Sequence, residues 1–182
     1  MKILGAINRA DRMIEDLLDA NRIRAGHKLP LAVSEFNIAD LFRRTIDELS
    51  MVHGPRFALN YEDTRGHWSY EALRRVIENL CNNAIKYGAQ GGLVKLSVKR
   101  HKDKVKILVH NIGGELNINE QKTLFDQFRR SWTADRSRQK GWGIGLTLVR
   151  GIVEAHNGTI TVSSGHGLGT TFEILLPIDC RI

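Results

Sequence analysis

The most regular pattern lies at the start of the chain. Ile3, Ile7, Ala10, Ile14, Leu17, Asn21 and Arg24 recur at alternating steps of four and three, which is the seam of a helical heptad. Met13 and Leu18 widen the stripe. One helix cannot bury such a face alone, so residues 3–24 predict a helix that needs a partner helix. Gly26 fits its stop and Pro30 follows. The chain therefore divides into a helix at 1–26, a linker at 27–34 and a domain at 35–182.

Within the domain, Ile38, Leu41, Phe42, Ile46 and Leu49 predict a helix over 37–50, with Asn37 as its cap. A short strand is expected near Ala58–Tyr61. Leu73, Val76, Ile77, Leu80, Ala84 and Ile85 predict a helix from about Ser69, which could cap it, to Tyr87. Alternation in Leu93–Lys99 and Val105–Val109 predicts two strands joined by a basic turn. A loop with two phenylalanines is expected over 111–140. A helix over Leu146–His156 follows, ended by Gly158, and then strands Thr159–Ser163 and Thr170–Pro177. This order lacks the regular strand–helix alternation of a doubly wound sheet. The predicted fold class is α+β, a two-layer α/β sandwich.

Composition narrows the function classes. The chain has 182 residues, 42% hydrophobic and 26% charged, an ordinary globular balance. No apolar run approaches the ~18–20 residues of a membrane span, and no secretory signal opens the chain. Cys81 and Cys180 make no disulfide framework, which fits a reducing, cytoplasmic setting. The net charge is +7, and a nucleic-acid partner is the first class this raises. The distribution argues against it. Lys95, Lys99, Arg100, Lys102, Lys104 and Lys106 fall on the hairpin, without interleaved aromatics, and read as a solvated face. Arg129, Arg130, Arg136, Arg138 and Lys140 stand directly before a glycine run, where a phosphate is the natural partner. Neither a nucleic-acid partner nor membrane contact is expected of this segment.

Five short segments carry candidate chemistry. In Glu78–Tyr87, Asn79 and Asn83 are four apart on one helical face and Lys86 lies near its edge. Two amides and an ammonium suit a polyphosphate with a divalent cation, since an amide oxygen can ligate a hard metal that keeps its waters. Gly141, Gly143, Gly145 and Leu146 open a helix, where backbone amides and the helix terminus favour an anion. The run is neither a dinucleotide fingerprint nor a Walker loop. Asn111 and Gly113 end a strand, where a side-chain carbonyl could accept from a base's amino group. Phe125-Asp126-Gln127-Phe128 reads in isolation as loop packing, and Gly167–Thr171 as a hairpin turn.

Their order is more specific than any one of them. ENLCNNAIKYG, VHNIGG, FDQF, GWGIGL and GLGTTFEILLP together resemble the N, G1, F, G2 and last boxes of the catalytic domain of bacterial sensor histidine kinases. That family is related to the gyrase and mismatch-repair ATPases. The likeness spans residues 34–178, and the first helix resembles the second helix of the dimerisation and histidine-phosphotransfer hairpin. The resemblance implies a mixed sheet covered by about three helices with a mobile ATP lid over 129–145. It implies ATP and Mg²⁺ as ligands, with Asn83 on the metal, Lys86 on phosphate, Asn79 near the phosphates and Tyr87 near the nucleotide. It assigns Arg129, Arg130 and Lys140 to phosphate, Gly141, Gly143 and Gly145 to the lid hinge, and Thr170 or Thr171 to adenine.

Two departures qualify the likeness. The family has Asp where Asn111 stands, so weaker adenine binding is expected, and Glu115 replaces the next glycine. None of the seven histidines lies in the acidic helical context of the family's phosphoacceptor. The chain alone is then expected not to autophosphorylate and to need the missing hairpin helix, a homodimer partner and a response regulator receiver domain. The alternatives are a degenerate nucleotide-binding or dimerisation module and an anti-sigma-factor-type serine kinase. The heptad helix argues against the latter. The seam itself predicts weak self-association, and a strictly monomeric sedimentation profile at high protein concentration would contradict it.

Overall fold

The computed structural model describes residues 2–125 and 143–181. Helix α1 spans Lys2–Arg24, strand β1 Val33–Asn37 and helix α2 Ile38–His53. Strands β2 (Phe57–Tyr61) and β3 (Arg65–Ser69) lead into helix α3 (Tyr70–Tyr87). Strands β4 (Val94–His101) and β5 (Lys104–Asn111) form the hairpin, and a short helix α4 (Ile118–Thr123) follows. Helix α5 (Gly145–Ala155) and strands β6 (Thr159–Gly165) and β7 (Gly169–Pro177) complete the described chain.

The main sheet runs β2-β4-β5-β7-β6. Strand β2 is parallel to β4 and the other neighbours are antiparallel. The α+β class and the mixed sheet agree with the sequence. Alternation decides which face is buried. Across the middle strands, Val98, Ile107, Ile174 and Ile160 share one row, and Leu96, Val109, Phe172 and Val162 share the next. Phe42 from α2, Leu73, Ile77 and Leu80 from α3, and Leu148 and Ile152 from α5 cover these rows and are all under 3% exposed. Each such side chain contributes roughly 1.5–3 kcal/mol by leaving water.

Three local features differ from the sequence reading. The loop expected over 111–140 contains α4, which Asn117 and Glu120 start with a reciprocal capping box. Strands β1 and β3 pair antiparallel in a separate small ribbon. Their apolar anchors are Phe36, edge-on to Trp68 and Tyr70, and these runs are too short to show a period. Asn37 caps α2 as expected, accepting from the Ala39 amide, whereas the Ser69 side chain makes no cap bond to α3. The Ser69 amide instead donates to His156 Nε2 at 3.0 Å.

Helix α1 packs by its C-terminal half. Ala20 is buried and Ile23 lies against Gly151 of α5, where a methyl group would collide with it. Arg75 of α3 donates to Asp16 at 2.6 Å and Asp19 at 2.8 Å. Met13, Ile14, Leu17 and Leu18 remain exposed. No helix among the described residues is long and apolar enough to cross a membrane.

His156 is fully buried at the end of α5. Its Nδ1 lies 2.8 Å from the Ile152 carbonyl oxygen and must carry the hydrogen. Nε2 is then free to accept the Ser69 amide, and the ring is neutral. Burial holds its pKa below the ordinary 6.5. The unfolded chain therefore takes up a proton first. This part of the stability is complete above the unfolded value and is lost as pH falls through it. Thermal unfolding followed from about pH 7.5 to about pH 5.5 should show a falling midpoint, and His156→Gln should flatten that slope.

Candidate functional site

The apolar rows of the sheet end in a polar one. Asn111, Thr170 and Ser164 face each other across β5, β7 and β6, so they stand on the helix-covered face at one end of the sheet. Asn111 and Thr170 are each 5% exposed. Two helix ends and one loop close around this row.

Helix α3 supplies one wall. Its buried stripe turns Asn79, Asn83 and Lys86 to a half-buried edge. The Asn79 Nδ2 donates to the Arg75 carbonyl at 2.8 Å. Its Oδ1 meets Gly145, where a Cβ would stand 2.5 Å away. Glycine is therefore what lets the first turn of α5 approach the amide. Lys86 Nζ donates to the Tyr87 hydroxyl at 2.9 Å and lies 4.7 Å from that ring's centroid, a combined hydrogen bond and cation–π contact. Cys81, on the buried side of the same helix, is no nucleophile. Burial and then Glu78 push its thiol up to about 12.

The loop after β5 supplies the second wall. The Ala89 amide donates to the Ile112 carbonyl at 2.7 Å, which seats the loop on the end of α3. Gly113 has φ 89, and a Cβ there would lie 2.5 Å from the Ala89 nitrogen. Asn111 Nδ2 donates to the Gly113 carbonyl at 3.3 Å. Thr170 Oγ1 donates to the Gly114 carbonyl at 2.9 Å. Glu115 turns away and lies 3.1 Å from His166 on the β6–β7 turn.

The N-terminus of α5 is the third wall. Gly143 (φ 69) and the buried Ile144 lead into it, and Leu146 packs on the core. Thr147 donates to the Phe125 carbonyl at 3.0 Å, and Phe125 lies edge-on to Phe172. Thus Asn79 meets Gly145, and Asn111 and Thr170 bond to the Gly113 and Gly114 carbonyls at the end of the sheet; Asn83, Lys86 and Tyr87 follow Asn79 along α3, and Gly143 and Leu146 flank Gly145. Thr171 does not join them. It lies on the opposite face of the sheet, its hydroxyl 2.9 Å from His110 Nδ1. Arg129, Arg130, Lys140 and Gly141, with the rest of the expected lid up to residue 142, lie outside the described residues, as do Asp126, Gln127 and Phe128.

The region offers amides, hydroxyls, an ammonium and a helix N-terminus, a donor-rich set that suits an anion. Among the described residues no three His, Cys, Asp or Glu side chains gather as a metal cage. The half-buried Asn83 amide is a single oxygen ligand, which fits a cation that arrives on phosphate with its waters. The glycine approaches at Gly113 and Gly145 leave no room for side chains there. Sequence reasoning missed Ser164, and with it Gln121, whose Nε2 donates to the Leu116 and Ser164 carbonyls at 2.9 and 3.0 Å. A signal existed for Ser164: Ile160, Val162 and Ser164 share a period of two, so a hydroxyl occupies an inward position.

Comparison with known proteins gives a consistent picture. The profile of the histidine kinase-, DNA gyrase B- and HSP90-like ATPase family matches residues 69–179. The adaptive-response sensory kinase SasA of Synechococcus sp. (strain JA-2-3B'a(2-13)) is 33% identical, over 94% of this chain and 46% of that protein. The probable sensor histidine kinase TcrY of Mycobacterium tuberculosis is 34% identical, over 98% of this chain and 38% of that one. The chain thus spans less than half the length of these relatives. Among solved structures, the Acinetobacter baumannii histidine kinase AdeS superposes with a TM-score of 0.75 at 20% identity, covering 97% of this chain and 82% of that one. The histidine kinase ThkA, solved in complex with response regulator protein TrrA, gives 0.72 at 20% identity, covering 98% and 50%. At that identity the two structures establish the fold.

The approach of Gly113 to Ala89 leaves no space for a methyl group, and its φ disfavours any other residue. Gly113→Ala should cost about 1–3 kcal/mol of stability, read from denaturant unfolding.

Proposed function

The chain belongs to the histidine kinase-, DNA gyrase B- and HSP90-like ATPase family, and we propose that it is the ATP-binding catalytic part of a sensor histidine kinase. The observation that carries this reading is the seat of Asn79. An amide stands on the half-buried edge of α3, against the first turn of α5. An amide cannot take a proton from water. A triphosphate bound between the two helices would be poorly hydrolysed and left for another nucleophile.

Each residue has a role in that reading. Lys86 releases Tyr87 and pairs with phosphate. Asn83 would hold Mg²⁺ by its amide oxygen, and the ion would neutralise charge on the phosphate oxygens. Backbone amides at Gly143 and Gly145, at the positive end of α5, hold phosphate oxygens, joined by Arg129, Arg130, Lys140 and Gly141. Tyr87, Asn111, Gly113, Leu146 and Thr170 enclose the base. The γ-phosphoryl group passes to an imidazole nitrogen, ADP leaves, and the phosphoryl group moves on to a response regulator receiver domain. Residues 1–26 act as the second helix of a dimerisation hairpin, 27–34 as its linker and 35–182 as the catalytic domain. The acceptor histidine comes from a first hairpin helix. The work is cytoplasmic.

The same observations leave one rival. Asn111 lacks a carboxylate and Glu115 turns away, which favours a degenerate nucleotide-binding or dimerisation module. Titration calorimetry with ATP, with and without Mg²⁺, separates the two. The kinase reading expects Mg²⁺-dependent binding that Asn83→Ala loses, and phosphorylation of a supplied histidine-bearing hairpin. No binding by the unaltered chain would favour the degenerate module.

A further inference from the structure

The main sheet has a second face. Helices α2, α3 and α5 cover one side, and on the other even the central Leu108, Glu173 and Leu175 are only half-buried. Alternation along the hairpin puts Val94, Leu96 and Val98 under the helices and Lys95 and Lys99 on the open side. On β5 it puts Lys104 and Lys106 there as well. Four lysines of two neighbouring strands therefore share one uncovered face. Glu173 is the one acid that β4, β5, β6 and β7 place on that side, and Lys106 holds it at 2.9 Å.

Register sharpens the crowding. Lys99 stands directly opposite Lys106, His101 opposite Lys104 and His110 opposite Lys95. Like charges directly across an antiparallel pair destabilise it. Solvation alone asks for no such opposition, and β6 meets water on the same side with Thr159, Thr161 and Ser163. The fold gains nothing from the lysines, whereas an anionic partner would offset their repulsion.

The residue types select the partner. Lysine is a hydrated point charge without the planar fork that reads single phosphates or carboxylates. Arg100, the arginine of the hairpin, falls on the other parity, and its Nε donates to the Lys102 carbonyl at 3.1 Å. No aromatic side chain stands on the open side of β4, β5, β6 or β7. Bases thus find no stacking platform. A protein partner finds no ring anchor, and lysine is depleted from protein interfaces. A layer of anionic lipid headgroups needs neither, since it attracts lysines by charge alone.

We infer that the open face of the main sheet, centred on Lys95, Lys99, Lys104 and Lys106, docks on an anionic membrane surface. The sequence alone reads these lysines as solvated and expects no membrane contact; the register across β4 and β5 changes that reading. The inference does not rest on nucleotide binding. The candidate site lies on the helix-covered side, so a membrane against the open face leaves it clear.

The test is co-sedimentation of the chain with vesicles of phosphatidylcholine alone, or of equal parts phosphatidylserine and phosphatidylcholine, at low and at high salt. The unaltered chain should bind the anionic vesicles, leave them at high salt and ignore the neutral ones. Lys95→Gln, Lys99→Gln and Lys104→Gln combined, which keep the Lys106–Glu173 pair, should weaken binding by about a hundredfold, at about fivefold per lysine. Arg22→Gln, Arg24→Gln and Arg44→Gln combined remove the same charge from exposed positions elsewhere and should keep most of the binding. Both variants leave residues 129–140 unaltered. Lys99→Gln alone should unfold at no lower a denaturant concentration than the unaltered chain, because it removes a like-charge pair. A lower midpoint would make the lysine a structural element and overturn the inference. Equal weakening by the two triple variants would reduce the effect to net charge and overturn it too. So would failure to bind anionic vesicles, whether or not duplex DNA is bound through the same lysines.

Discussion

Helices α3 and α5 lie side by side on one face of the sheet, and their separation governs everything at the candidate site. Two apolar rows of the sheet and the buried side chains of both helices set that distance. At close packing a single methylene is felt. Where the helices meet at the edge, an amide from α3 faces a glycine from α5. A side chain at that glycine would part the helices or turn the amide away. The two segments that carry the most candidate chemistry are therefore placed by core packing and not by contacts between their polar groups.

The same logic explains what could be read in advance. The four long helices, α1, α2, α3 and α5, and the four later strands were legible because their periods are long enough to count. The stripe from Leu73 to Ile85 and the alternation from Val105 to Val109 are examples. The ribbon of β1 and β3 was not legible, since five-residue strands around Gly66 carry no period of their own. Helix α4 announced itself only through Asn117 and Glu120, a capping pair without an apolar stripe behind it. At the site, the order of five motifs located the walls. Which threonine faces inward was a matter of parity. One residue along β7 changes the face, so Thr170 and Thr171 part company. Register across strands, which brings Ser164 beside Thr170, is not written in any one segment.

Helix α1 is bound to the domain by unlike means along its length. Near its end it is packed by Ala20 and Ile23, and in its middle Arg75 grips Asp16 and Asp19. The linker adds the buried Leu29 and a bond from Lys28 to Asn157 at 3.3 Å. Arg75 is also the residue whose carbonyl holds the Asn79 amide. The helix that carries the heptad seam and the edge that carries the amide thus share one residue, one turn apart.

Cys81 sits between the two asparagines of that edge, sealed against the sheet with its thiol held protonated by burial. Cys180, also buried, has its thiol pushed up as well. Thiol reagents attack the thiolate and need access to it. Burial withholds Cys81 from a reagent in the folded chain, so its sulfur is reached when α3 lifts from the sheet. The chain carries a built-in gauge of that event, because with a reagent slower than reclosing the alkylation rate at Cys81 follows the fraction of time the wall of the site stands open.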